Sequence, residues 1–159
     1  EAGIIPVFAI GNAGPSCGTT SYPGNMETVI AVGSTTKTDG LDRFSARGPS
    51  KTGLLKPEIS APGHYVRSAV HTGDDQYASL SGTSMATPHV VGMIALMKSA
   101  DLDLTYDRVK EIIISTPDQD TLQSSGMTCG ATKDDTFPNN VFGHGRINAV
   151  SAVAADVGK

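Results

Sequence analysis

The chain has 159 residues, 38% of them hydrophobic and 18% charged, enough apolar material for a packed core and a composition unlike that of disordered chains. A net charge of −4 with no Lys/Arg run argues against nucleic acid or an anionic membrane as a partner. No apolar stretch approaches the length that spans a bilayer.

The opening Glu1-Ala2-Gly3-Ile4 reads as a helix end running into a strand, the expected start of a piece of a longer or processed chain. Ile4 to Ile10 is almost continuously apolar and ends at Gly11-Asn12-Ala13-Gly14-Pro15, which predicts a buried parallel strand with Pro6 near its beginning. Thr28 to Ser34 predicts a second strand of the same kind. Shorter extended pieces are expected at Arg43 to Ala46, Ile59 to Ala61, Tyr65 to Val70 and Tyr77 to Leu80, between Gly/Pro turns.

A helix from Ser84 to Ala100 follows, apolar nearly all round from Val90 to Met97, so it should run through the middle of a core. That core needs cover on several sides, more than this chain alone promises. A second helix, Thr105 to Thr116, has Thr105 as N-cap, Asp107 in its first turn and Val109, Ile112 and Ile113 on one face, and Pro117 ends it. Asp118 to Asn140 is a polar, turn-rich surface excursion. Val141 to Ile147 reads as extended and Asn148 to Val157 as a closing helix. Strands, a buried helix and an amphipathic one predict an α/β layered fold. Cys17 and Cys129 leave two options open, one bridge in a secreted protein or two free thiols. Two isolated cysteines without CxxC or HxxxH spacing supply too few ligands for zinc.

The most informative stretch is Ser81-Gly82-Thr83-Ser84-Met85-Ala86-Thr87-Pro88-His89-Val90. It delivers Ser84 to a helix N-terminus, where unpaired N–H groups and the positive dipole end favour an oxyanion. Pro88 fits a first helical turn. A serine before a helix is usually a cap. Two general nucleophile signatures are also missing, because Gly82-x-Ser84-x-Ala86 lacks a second glycine and Ser84-x-x-Thr87 lacks a lysine. The full run, however, closely resembles the serine segment of subtilisin-like serine proteases, the subtilases.

That resemblance extends along the chain. Ala9-Ile10-Gly11-Asn12-Ala13-Gly14 resembles the family's oxyanion-hole motif, and Ser21-Tyr22-Pro23-Gly24 its next block. Phe44-Ser45-Ala46-Arg47-Gly48-Pro49, Lys56 to Gly63 and Phe142 to Asn148 resemble downstream segments of structural importance. It implies an α/β fold with a mainly parallel sheet flanked by helices, residues 1–159 forming the C-terminal half of a catalytic domain. It also implies a serine endopeptidase in which Ser84 is the nucleophile and Asn12, with the Ser84 N–H, holds the oxyanion. Substrate contacts are implied at Gly11, Ser21, Gly82 and Thr83, with Ser21 at the floor of the S1 pocket. A cis bond is implied before Pro23, and secretion makes pairing of Cys17 with Cys129 the expectation.

None of the four histidines offers a base. His89 lies about 140° round the helix from Ser84 and is expected to be a satisfied core residue. His144 sits in Gly143-His144-Gly145, but Arg146-Ile147 follow where the family's histidine motif needs Thr-His. His64 and His71 lie in turns, and no Asp–His pair is recognisable. The catalytic Asp and His are expected upstream of Glu1, so the expected partners are polypeptide substrates and that upstream half. No cofactor is expected, with structural calcium reserved for the full-length protein. The competing class is a non-catalytic subtilase-like binding module.

Overall fold

A computed structural model describes residues 3–157, so Glu1 and Ala2 of the expected helix end lie outside the described residues. Three strands, β1 (Val7–Ala9), β2 (Ile30–Thr35) and β3 (Ile59–Pro62), form a parallel sheet in the order β1-β2-β3. Val7 pairs with Ile30, and Val32 with Ile59. The apolar run before Gly11 therefore yields only three strand residues, with Pro6 just outside. Central β2 is buried throughout, which explains why its sequence is continuously apolar rather than alternating.

Two further strands, β4 (Val66–Ala69) and β5 (Tyr77–Leu80), pair antiparallel as a separate hairpin. The long helix α1 (Thr83–Ala100) packs across the sheet, against all three of its strands. Helix α2 (Tyr106–Ser115) starts where the sequence predicts, with the Thr105 side chain accepting from the Arg108 N–H. Helix α3 (Ala149–Val157) closes the chain and packs on α1 and α2. The core joins Ile30, Val32 and Ile59 of the sheet to Val90, Met93 and Met97 of α1 and Val109, Ile112 and Ile113 of α2. Each such side chain contributes about 1.5–3 kcal/mol on leaving water.

Three expectations change. The 43–46 and 141–147 segments are not strands: the first turns, and the second makes isolated bridges, with Gly143 bonding twice to Asn139 and Arg146 twice to Asp118. Pro88 falls in the second turn of α1, not the first, so Ser84 has no N–H at position 88 to bond its carbonyl. Finally, α1 is covered on one side only, since Val91 is 47% and Leu96 56% exposed among the described residues. The 118–140 excursion carries the short pair β6 (Thr128–Cys129) and β7 (Thr132–Lys133), and its Cys129 packs with Val141 and Phe142 of the following segment in a separate apolar cluster. A disulfide joins Cys17 to Cys129, with Cα atoms 5.4 Å apart.

Candidate active site

The site gathers at the carboxyl ends of the parallel strands, the side where open α/β sheets present their functional loops. Beyond β2, the Gly63 N–H donates to the Thr35 carbonyl at 3.0 Å, and the Gly82 N–H donates to the Gly63 carbonyl at 2.9 Å. A Cβ on Gly63 would collide with Ser34 Oγ and stand 2.7 Å from the Gly82 carbonyl. The absence of a side chain there lets the loop before α1 lie directly on the end of the sheet.

Asn12, just past β1, reaches the same loop. Its Oδ1 accepts from both the Thr83 N–H and Thr83 Oγ1, each at 2.9 Å. A backbone N–H can only donate, so the atom it meets is the carbonyl oxygen and Nδ2 is the free-facing donor. The asparagine thus caps α1 from a different element, where Gly82 at the N-cap offers no side chain. The Met85 and Ala86 N–H groups turn back to the Gly82 carbonyl. Among the described residues the Ser84 N–H makes no hydrogen bond. Ser84 itself is exposed and lines an open cleft of about 340 Å³ with Val66, Arg67, Ser68, Pro88 and His89.

Gly11 and Ser21 are brought together beside it. Gly11 has φ +111°, and a Cβ there would collide with Ser21 Oγ. Ser21 Oγ and its N–H both donate to the Ile10 carbonyl at 3.1 Å. The Tyr22–Pro23 bond is cis, as the family resemblance implies.

The histidines differ from expectation. His89 is not a core residue: it is exposed, shares the Ser84 cleft, and sets Nδ1 3.0 Å from the Met85 carbonyl. No described segment covers that side of α1. An Asp–His pair also exists, with His64 Nδ1 2.7 Å from Asp42 Oδ1. Asp42 is 2% exposed, and its other oxygen accepts from Ser34 Oγ at 2.5 Å. The two residues lie on either side of β3 in the chain, so only the fold brings them together. Burial, with Lys110 adding repulsion, lowers the His144 pKa. Among the described residues no histidine bonds Ser84 Oγ, and no group of three His, Cys, Asp or Glu side chains could hold a metal.

The sequence profile described as the Subtilase family matches residues 1–145. Bacillopeptidase F of Bacillus subtilis (strain 168) is 39% identical over 97% of this chain and 10% of that protein. Minor extracellular protease Vpr of the same organism is 34% identical over 71% of this chain and 14% of that protein. The structure of the prenylagaramide maturation protease PagA superposes with a TM-score of 0.72 at 27% identity, covering 95% of this chain and 50% of that one. The chain therefore spans half or less of each of these proteins. With a family match over most of its length and the same fold, this chain belongs to the subtilase family.

Proposed function

We propose that the chain carries the nucleophile and the oxyanion donors of a secreted serine endopeptidase, and that the base comes from a histidine outside these 159 residues. The observation that carries this reading is the pair of hydrogen bonds donated by the Thr83 N–H and Thr83 Oγ1 to Asn12 Oδ1, which holds the asparagine amide at the start of α1 beside Ser84. Two donors are then available where negative charge develops, Asn12 Nδ2 and the Ser84 N–H. Ser84 Oγ attacks the scissile carbonyl of a polypeptide while a histidine, oriented by an aspartate, takes its proton. The carbonyl oxygen gains the charge and the two donors receive it. Collapse breaks the peptide bond, the histidine returns the proton to the leaving amine, and water then hydrolyses the acyl ester.

Gly11 and Ser21 form the floor beneath the substrate side chain, while Gly82 and Thr83 let its backbone approach. Secretion is supported by the Cys17–Cys129 bridge, a bond kept in oxidising compartments, and by the word extracellular in a relative's name. A serine without a positioned base is a weak nucleophile, so the chain alone is inactive. The test is cleavage of fluorogenic peptides by this chain, alone and mixed with a polypeptide carrying the Asp and His segments of a subtilase. Cleavage only in the mixture, abolished by Ser84→Ala, supports the reading. No cleavage in either case favours a non-catalytic binding module, and cleavage by the chain alone overturns the need for an outside base.

A further inference from the structure

The Asp42–His64 pair takes no direct part in the chemistry just described, yet it stands next to the loop that delivers Ser84. Asp42 is anchored through both its backbone and its side chain. Its N–H donates to the Ser34 carbonyl at 3.2 Å, and its Oδ2 accepts from Ser34 Oγ. Ser34 is wholly buried in the central strand β2, so the carboxylate is fixed to the middle of the sheet. Oδ1 is left to face His64, whose Nδ1 lies 2.7 Å away. The carboxylate oxygen accepts, so Nδ1–H is the donor. A bond of this kind to a buried carboxylate is among the stronger hydrogen bonds of a protein.

The residues on either side of His64 hold the approach to α1. The Gly63 carbonyl accepts from the Gly82 N–H at 2.9 Å, and the Tyr65 N–H donates to Ser81 Oγ at 2.9 Å. Ser81 and Gly82 lead directly into Thr83 and Ser84, so these two bonds set where the helix begins. Tyr65 makes its bond from the left-handed region, with φ +50°, which is costly for a residue with a Cβ. Such a conformation persists only where its surroundings over-determine it. The Tyr65 side chain is 71% exposed, so burial does not hold it. Its ring instead meets the His64 ring edge-on, with centroids 4.6 Å apart, so the tyrosine rests on the imidazole that is tied to Asp42.

We propose that His64 is a positioning residue: its bond to Asp42 latches residues 63–65 to β2, and those residues hold Ser81 and Gly82 so that Ser84 and its N–H stay in line with Asn12. The effect on catalysis rests on the protease reading above, whereas the effect on the loop does not. The His64 side chain is 38% exposed, so the latch can be removed without opening the core.

The experiment compares the wild type with His64→Phe and His64→Asn. Phenylalanine keeps a ring against Tyr65 but loses the donor, while the asparagine amide keeps an N–H near the place of Nδ1. Amide hydrogen exchange of the chain alone is followed by NMR. His64→Phe speeds exchange at Tyr65 and Gly82 about tenfold, as a local opening made easier, and leaves Val109, Ile112 and Ile113 of α2 unchanged. His64→Asn exchanges as the wild type does. In the mixture with the Asp- and His-bearing polypeptide, His64→Phe lowers kcat about tenfold at unchanged KM, and His64→Asn restores most of it. Unchanged exchange at Tyr65 and Gly82 in His64→Phe overturns the proposal. So does acceleration shared equally by α2, or failure of this variant to fold, since either marks a general loss of stability. Exchange in His64→Asn as fast as in His64→Phe overturns it too, because the donor is then not the cause. If the wild-type mixture cleaves nothing, the protease reading falls and the exchange result alone decides the latch. An active mixture whose kcat is unmoved by His64→Phe, despite faster exchange, overturns the positioning role.

Discussion

Breaking the Cys17–Cys129 bridge is expected to be among the most damaging small changes available, and its size follows from the chain. The bridged residues are 112 apart in sequence, so the bond removes a very long loop from the unfolded ensemble. The chain-entropy relation gives about 5 kcal/mol for a loop of that length. Native stabilities run at roughly 5–15 kcal/mol, so the bridge supplies a third or more of the total. Removing Cys129 would confuse the measurement, because its side chain is fully buried against Val141 and Phe142 and its loss would add a packing cost. Cys17 is exposed, so Cys17→Ala removes the cross-link and leaves the apolar cluster intact. Thermal unfolding followed by circular dichroism should show Cys17→Ala and the reduced wild type melting together. Both should fall about 10–20 °C below the oxidised wild type, at roughly 2–4 °C per kcal/mol for a chain this long. A melting point for Cys17→Ala within about 2 °C of the oxidised wild type would refute the reasoning.

Asn12→Ala should lower peptide cleavage in the reconstituted mixture by about 10²–10³, the loss measured when such a donor is removed from subtilisin itself. Asn12→Asp keeps an acceptor for the Thr83 N–H, so it should retain the cap's roughly 0.5–2 kcal/mol yet lose the same activity, which urea unfolding beside a kcat measurement will separate. Ile113→Ala, at 1% exposure between α2 and the core, should cost about 2–5 kcal/mol, whereas Val150→Ala at 81% exposure should stay within about 0.5 kcal/mol, both read from urea midpoints. Burial holds the His144 pKa below its ordinary 6.5, so the unfolded chain binds the proton first. Stability from this group is therefore complete above pH 6.5 and is lost as pH falls below it towards the lowered folded value, and His144→Gln should flatten the stability profile across that window.

The parts of the fold written in local chemistry are legible in the sequence. Thr105 caps α2 because a threonine followed by Asp107 and an apolar stripe leaves few alternatives. The buried strand at Ile30 and the helix after Ser84 follow from their apolar runs. Segments whose partners lie far away in the chain are not legible. Arg43 to Ala46 and Val141 to Ile147 look extended, but loop-to-loop bonds and close glycine contacts shape them instead of a ladder. His89 departs from expectation for a related reason: a helix apolar nearly all round reads as buried on every side, while its described cover lies on one side. Within the candidate site, the sequence points to Asn12 and Ser84 as separate motifs, but not to the Thr83 bond that joins them. The Asp42–His64 pair carries no sequence signal, since it depends on tertiary placement of ionisable groups.

The central claim is that Ser84 becomes a nucleophile only when an outside histidine joins it. Fluorophosphonate labelling followed by peptide mapping measures that directly. The chain alone should show no rapid labelling, and the mixture with the Asp- and His-bearing polypeptide should give one adduct, located on Ser84. Rapid labelling of Ser84 in the chain alone, or an adduct in the mixture on Ser81 or any residue other than Ser84, would contradict it.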